Sequence, residues 1–203
     1  MRARAVVAAL CLVSAWGSVP AQAQGPQTLR VRGTIVSLDG STLVVKSREG
    51  ETVPIRLADT WNVSGIIKAS LGDVKAGTYI GTAAMPQQDG SLRALEVLIF
   101  PEAMRGAGDG HSPWDLLPDS TMTNAIVSET VQAVDGQTLT LTYKGDQKKV
   151  SVPPNVPVVT LTPAQKADVM AGAPVFISTQ RQADGTITAS RVTVGLNGVA
   201  PPM

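Results

Sequence analysis

The sequence predicts an all-β protein: two tandem five-stranded barrels, each with one short helix, joined by a long ordered connector. Three observations carry that expectation. Apolar residues recur with a period of two in short runs, Asp-Gly turns separate the runs, and one block of turn residues appears twice. Asp39-Gly40-Ser41-Thr42-Leu43 returns as Asp135-Gly136-Gln137-Thr138-Leu139. Asp73-Val74-Lys75-Ala76-Gly77 returns as Asp168-Val169-Met170-Ala171-Gly172, and Asp89-Gly90-Ser91-Leu92 as Asp184-Gly185-Thr186-Ile187. Asp-Gly turns are common in any all-β protein. Three matches in one order at nearly one spacing mark a duplicated module, at 27–100 and 123–195.

Each copy opens with three strands. Leu29, Val31 and Ile35 alternate with polar residues before the phase slips to Val36 and Leu38 near Gly33, the pattern of a bulge or a strongly bent strand. After Asp39-Gly40 come Leu43 and Val45, a turn at Arg48-Glu49-Gly50, then Val53, Ile55 and Leu57. The second copy repeats this with Leu139 and Leu141, a turn at Lys144-Gly145-Asp146, then Val150 and Val152. Antiparallel hairpins follow.

A helix signal comes next. Thr162-Pro163-Ala164-Gln165 offers an N-cap, a proline at the first helical position and a glutamine behind it, and Gly172 offers a stop. Ser70 to Gly77 is the weaker counterpart. A fourth strand (78–84 and 174–179) and a fifth (91–99 and 186–194) close each copy. The fifth slips phase in both copies, between Ala94 and Val97 and between Ala189 and Val192, which reads as a structural bulge.

Three strands, a short helix and two strands is the order of an OB-fold barrel. The Asp-Gly-x-Thr-Leu, Asp-Val-x-Ala-Gly and final Asp-Gly-x-x-x-Ala motifs resemble those of a bacterial periplasmic OB-like tandem-repeat family of unestablished function. Members are sometimes labelled as metal-transporter components. The resemblance covers both copies and implies the fold and a periplasmic location, but no activity.

The first residues read as a secretion signal. Met1 to Arg4 is cationic, Ala5 to Trp16 is apolar, Gly17, Ser18 and Pro20 break the run, and Ala21-Gln22-Ala23 suits a signal peptidase. The run is well short of the roughly 20 residues that span a bilayer. A signal peptide of residues 1–23, cleaved near Ala23, would send a soluble chain without a membrane span to the periplasm. Cys11, the one cysteine, leaves with it, removing disulfide and thiolate chemistry.

Charge excludes further classes. Lys and Arg total 17 against 16 Asp and Glu, and Arg2 and Arg4 fall in the signal, so the rest is almost neutral. Such a chain lacks the electrostatic footprint of a nucleic-acid or anionic-membrane binder. Beyond the signal the aromatic residues are Trp61, Tyr79, Phe100, Trp114, Tyr143 and Phe176.

The connector, 101–122, collects rare side chains: the only histidine, His111, with Trp114, Met104, Met122, Asp109, Asp115 and Asp119. Its length and apolar Trp114, Leu116 and Leu117 suit an ordered strap lying across the barrels. His111, Asp109 and Asp115 with the soft donors Met104 and Met122 could hold copper or zinc, although one imidazole makes a poor site. Ser112 or Ser120 with His111 lacks a Gly-x-Ser-x-Gly elbow and an oxyanion hole, so hydrolysis is not expected. His111 and Trp114, with Trp61 and Tyr79 on the first barrel, are the candidate binding residues. The simpler roles are packing for Trp61, Tyr79 and Trp114, and for His111 a ring hydrogen bond to backbone that caps or pins a turn. The tail, 196–203, is expected to fray.

The expectation is therefore a non-enzymatic, cofactor-free binding or adaptor protein of the periplasm, with a periplasmic protein or small ligand as partner. The alternative is a metal-handling protein that uses the connector.

Overall fold

The hairpins expected from the Asp-Gly turns are present, but the strands close on unexpected partners. The structure is a computed structural model describing residues 27–202; the expected signal peptide lies outside the described residues. The first copy contains β1 (Gln27–Asp39), β2 (Thr42–Ser47), β3 (Thr52–Lys68), β4 (Tyr79–Pro86), β5 (Leu92–Ala94) and β6 (Val97–Ile99). The connector adds β7 (Gly110–Pro113). The second copy contains β8 (Thr121–Ala133), β9 (Gly136–Tyr143), β10 (Asp146–Val152), β11 (Val158–Pro163), β12 (Pro174–Arg181) and β13 (Ile187–Gly195).

Period-two alternation sorts the side chains as the sequence predicts. Leu43 and Val45 in β2, Ile55 and Leu57 in β3, and Leu139 and Leu141 in β9 are all buried on one face. The slip near Gly33 is a register shift between Ile35 and Ser37. The slip in the last strand separates β5 from β6 and shifts β13 between Ala189 and Arg191.

The closure departs from one barrel per copy. β1 pairs with β2, β2 with β3, β3 in parallel with β13, β13 with β12, and β12 with β1, closing a five-stranded barrel. Its core joins Val31, Leu43 and Ile55 of the first copy to Val175, Ile177 and Val192 of the second. A second ring of pairings joins β8, β9 and β10 to β4 and β5 of the first copy. Its core holds Ile80, Leu92 and Val97 with Val127, Leu139 and Val150. Neither 27–100 nor 123–195 thus owns a core. Each copy lends its last strands to the other.

The cause is local. β3 does not turn at Leu57 but runs on to Lys68, and its end pairs antiparallel with β11, with Ile66 opposite Leu161. Those two residues are equivalent positions of the two copies, so the crossing has approximate twofold symmetry. Other pairings follow it: Ala189 faces Leu57 and Val192 faces Val63, as the equivalent Val97 faces Val158. Ile66, Leu98 and Val159 pack together at the crossing. Gly65 permits the approach, since a Cβ there would lie 2.7 Å from Leu196 Cδ1 and 2.9 Å from Thr162 Cγ2.

Two further expectations are corrected. The short helices are single 3-10 turns, Leu71–Asp73 and Lys166–Asp168. Asp73 and Asp168 accept from the Ser70 and Gln165 N–H, at 3.0 and 2.7 Å. Thr162 and Pro163 belong to β11 instead of capping a helix. No longer helix forms because Val74 and Val169, directly after the turns, must reach the two cores. Gly77 and Gly172 then take φ of +88° and +87°, and their N–H groups bond to Val127 and Ile35. The tail is also held down: the Leu196 N–H bonds to Ile66 at 2.9 Å, Pro201 is buried, and its carbonyl accepts from Arg48.

Exchanged cores make a direct prediction. Residues 27–105 and 106–202, produced separately, should each lack a cooperative unfolding transition by far-UV circular dichroism. Their equimolar mixture should recover the spectrum and single transition of the whole chain. Halves that each fold as stable monomers would contradict the exchange.

Candidate functional site

The connector is a strap whose alternation decides what it presents. β7 pairs antiparallel with the start of β8, with His111 opposite Thr123 and Ser112 opposite Met122. Gly110 and Ser112, followed by Trp114, line one cavity, while His111 faces away from it. The loop after β7 is closed by buried Ser120. Its carbonyl accepts from the Trp114 N–H at 2.7 Å, and its hydroxyl donates to the Leu117 carbonyl at 2.7 Å.

Two arginines of β1 latch this strap. Val31 points into the barrel, so Arg30 and Arg32 share the outer face. Arg32, 7% exposed, donates to Asp115 Oδ1 at 2.7 Å, and Arg30 lies 3.4 Å from Asp115 Oδ2. The Arg30 guanidinium also stacks 3.8 Å from the centre of the Trp114 ring. Burial alone would raise the Asp115 carboxyl, but the hydrogen bond and charge of Arg32, aided by Arg30, hold it below its usual range.

Beneath the strap lies a cavity of about 260 Å³. One wall is the outer face of the barrel at Phe176, which sits opposite Arg32 with that guanidinium 5.3 Å from its ring centre. The other wall is Gly81, Met122 and Asn124 of the second ring with Leu98 of β6 and the adjoining Phe100. A Cβ at Gly81 would lie 2.6 Å from Asn124 Oδ1 and 3.1 Å from Phe100, so glycine keeps this wall thin. The Trp114 indole Nε1 is buried and has no hydrogen-bond partner among the described residues. The strap residues precede the second copy, whereas Phe176 stands near its end, in β12.

The other candidates lie apart. His111 Nδ1 is 2.8 Å from Thr123 Oγ1 and its ring stacks on Tyr143 at 6.1 Å; burial, then the charge of Lys148, lowers its pKa. Tyr79 is buried, donates to the Ala107 carbonyl at 3.1 Å, and is pushed up to about 12 by burial, with Asp109 adding to the effect. Trp61 packs in the barrel core, with Lys166 Nζ 4.6 Å from its ring centre. Met122 lines the cavity under the strap and Met104 a neighbouring one. Among the described residues no three His, Cys, Asp or Glu side chains gather as a metal site would require.

Sequence reasoning missed Arg30, Arg32, Glu96, Phe100 and Phe176, because nothing in their local pattern separates them from ordinary strand residues. Glu96 stands at the break between β5 and β6, 1% exposed, with neither carboxylate oxygen hydrogen-bonded. Burial raises its pKa to about 7, against the opposing charges of Arg32 and Arg48. Comparison with protein-family models, curated proteins and solved structures finds no match for this chain.

Truncating Trp114 to alanine removes a half-buried indole and its guanidinium contact. Urea denaturation of the variant should show a loss of about 1–3 kcal/mol. A variant as stable as the parent would mean that the strap is not held through this residue.

Glu96 sets a pH dependence of opposite sign to that of ordinary paired carboxylates. Its pKa is raised in the folded protein, from 4.5 to about 7. Its favourable contribution is complete below about pH 4.5 and is lost as pH rises through 7, a change of about 3 kcal/mol. His111, lowered by burial, acts in the reverse sense near its usual pKa, so the comparison must be between parent and variant. Glu96→Gln should match the parent at pH 5 and exceed its denaturation midpoint at pH 8; equal midpoints at both pH values would rule this out.

Proposed function

We propose that this is an exported, non-enzymatic binding protein that holds a small, mainly apolar molecule beneath the strap. One observation carries the reading. Of the six aromatic residues named above, all of them described, Phe100, Trp114 and Phe176 converge on one cavity, so the scarcest large side chains are spent there. Apolar walls with a few placed polar groups are the usual lining of a small-molecule site. Here the polar groups are the indole N–H, the Ser112 hydroxyl and the Asn124 amide. The size suits a molecule of one or two rings or a short hydrocarbon chain.

Metal handling draws less support. His111 is occupied with Thr123 and Tyr143, Asp115 is paired with two arginines, and Met104 and Met122 line different cavities. The signal-like leader and the resemblance to a periplasmic OB-like repeat family favour a periplasmic site of action.

A neutral fluorescent probe, N-phenyl-1-naphthylamine, tests the reading on the full processed chain. Its emission should rise saturably at one site per chain, and Ser112→Phe, which fills the cavity from an exposed strap position, should weaken binding at least tenfold. No saturable binding, or binding that ignores Ser112→Phe, would overturn the reading.

A further inference from the structure

We infer that the site beneath the strap is specific for monocarboxylates with an apolar tail, the carboxylate being taken by Arg191 at the edge of an adjoining cavity. This deepens the proposed function and rests on it. The adjoining cavity, about 210 Å³, shares Leu98, Phe100 and Phe176 with the first, so one apolar wall runs between them. Leu161 and Met104 extend that wall. Its remaining lining is Ser64, Ser178, Thr193 and Arg191. These are three hydroxyls and a guanidinium, grouped where β3, β12 and β13 present their outer faces.

The charge pattern selects the ligand. No carboxylate lines either cavity, while Arg191 lines the second and Arg30 and Arg32 stack on the aromatic rings Trp114 and Phe176 of the first. Asp115 is engaged with those two arginines. Asp59 and Arg56 line an open cleft that shares Arg191 and Ser178 with the second cavity, and Asp59 makes no ion pair with Arg191. Aromatic walls would otherwise suit an organic cation, but three guanidinium groups nearby oppose one. A carboxylate meets a planar fork of donors backed by hydroxyls, the geometry in which arginine binds anions best.

The duplicated architecture makes the same point. Arg191 is the positional equivalent of Glu96. Around Glu96 the protein sets the positive charges of Arg32 and Arg48. In the equivalent niche the second cavity sets Arg191 among hydroxyls, and Asp59, in the open cleft beside it, makes no ion pair with it. A bound anion would complete the match that the first copy makes internally.

Competition against bound N-phenyl-1-naphthylamine on the full processed chain tests the inference with three probes of equal tail: octanoate, octanol and octyltrimethylammonium. Octanoate should displace the dye about tenfold more tightly than octanol, with the ammonium weakest. Shortening the acid to hexanoate should weaken it by roughly fourfold per methylene removed. Arg191 is exposed on its strand, so Arg191→Gln should keep the far-UV spectrum and the octanol affinity while octanoate falls to the octanol level. Arg191→Lys should retain part of the preference. If the dye binds but octanol competes as well as octanoate, or Arg191→Gln leaves octanoate unchanged, the carboxylate assignment is overturned and the cavity reading stands. If neither dye nor any octyl probe binds, both fall together.

Discussion

The antiparallel crossing of β3 and β11, centred where Ile66 faces Leu161, is the constraint on which the rest of the molecule depends. It directs each copy's chain away from the strands that precede it and towards those of the other copy. Without it, β4 and β5 could return to β1 and β2, and β12 and β13 to β8 and β9. With it, the barrel is completed by strands from the far end of the sequence, as in the pairing of Val31 with Ile177. Such closure joins segments that are distant along the chain, which commits the two copies to fold together. Gly65, with no room for a Cβ between Leu196 and Thr162, is the local price of that approach.

The candidate site is a consequence of the same crossing. Exchange brings the outer face of the barrel, at Phe176 and Arg191, against Leu98 and Phe100, which follow the β5–β6 break of the other ring. A polar sheet face would normally be left to solvent there. Here both faces carry aromatic and small residues, so they leave a partly apolar recess. The strap spans it because Asp115 can reach Arg30 and Arg32 while Trp114 stacks under one of them. Latch and recess share residues.

Four described residues, Glu96, Trp114, Thr130 and Gln137, keep a buried side-chain polar atom without a hydrogen-bond partner, and two of them lie near the strap. Glu96 keeps both carboxylate oxygens without hydrogen bonds, and Trp114 keeps its indole N–H without one. Buried polar groups are ordinarily paired, because desolvation without a partner is costly. Glu96 meets that cost by holding its proton to about pH 7, under the partial relief of Arg32 and Arg48. Trp114 cannot change its charge, so its N–H is the group most in need of an acceptor. Both lie beside the strap latch, which couples the stability of this region to its charge state.

Much of the secondary structure was legible in the sequence, and little of the site was. Alternation at Leu43 and Val45, the Asp-Gly turns, and the phase slips at Gly33 and after Ala94 are local properties of the backbone, and they survive in the fold. The helices expected at Ser70 and Thr162 did not, because Val74 and Val169 are needed in cores only one residue beyond each turn. Phe100, Phe176 and Arg191 looked like ordinary strand residues until their strands met. The choice of partner strands was hidden for a physical reason: two copies with the same apolar pattern offer each closing strand two equivalent surfaces. Hydrophobic periodicity is identical for both solutions. The sequence by itself therefore determined strands and turns, whereas only the uninterrupted run of β3 past Leu57, seen in three dimensions, decided which strands complete the barrel and where a cavity is left.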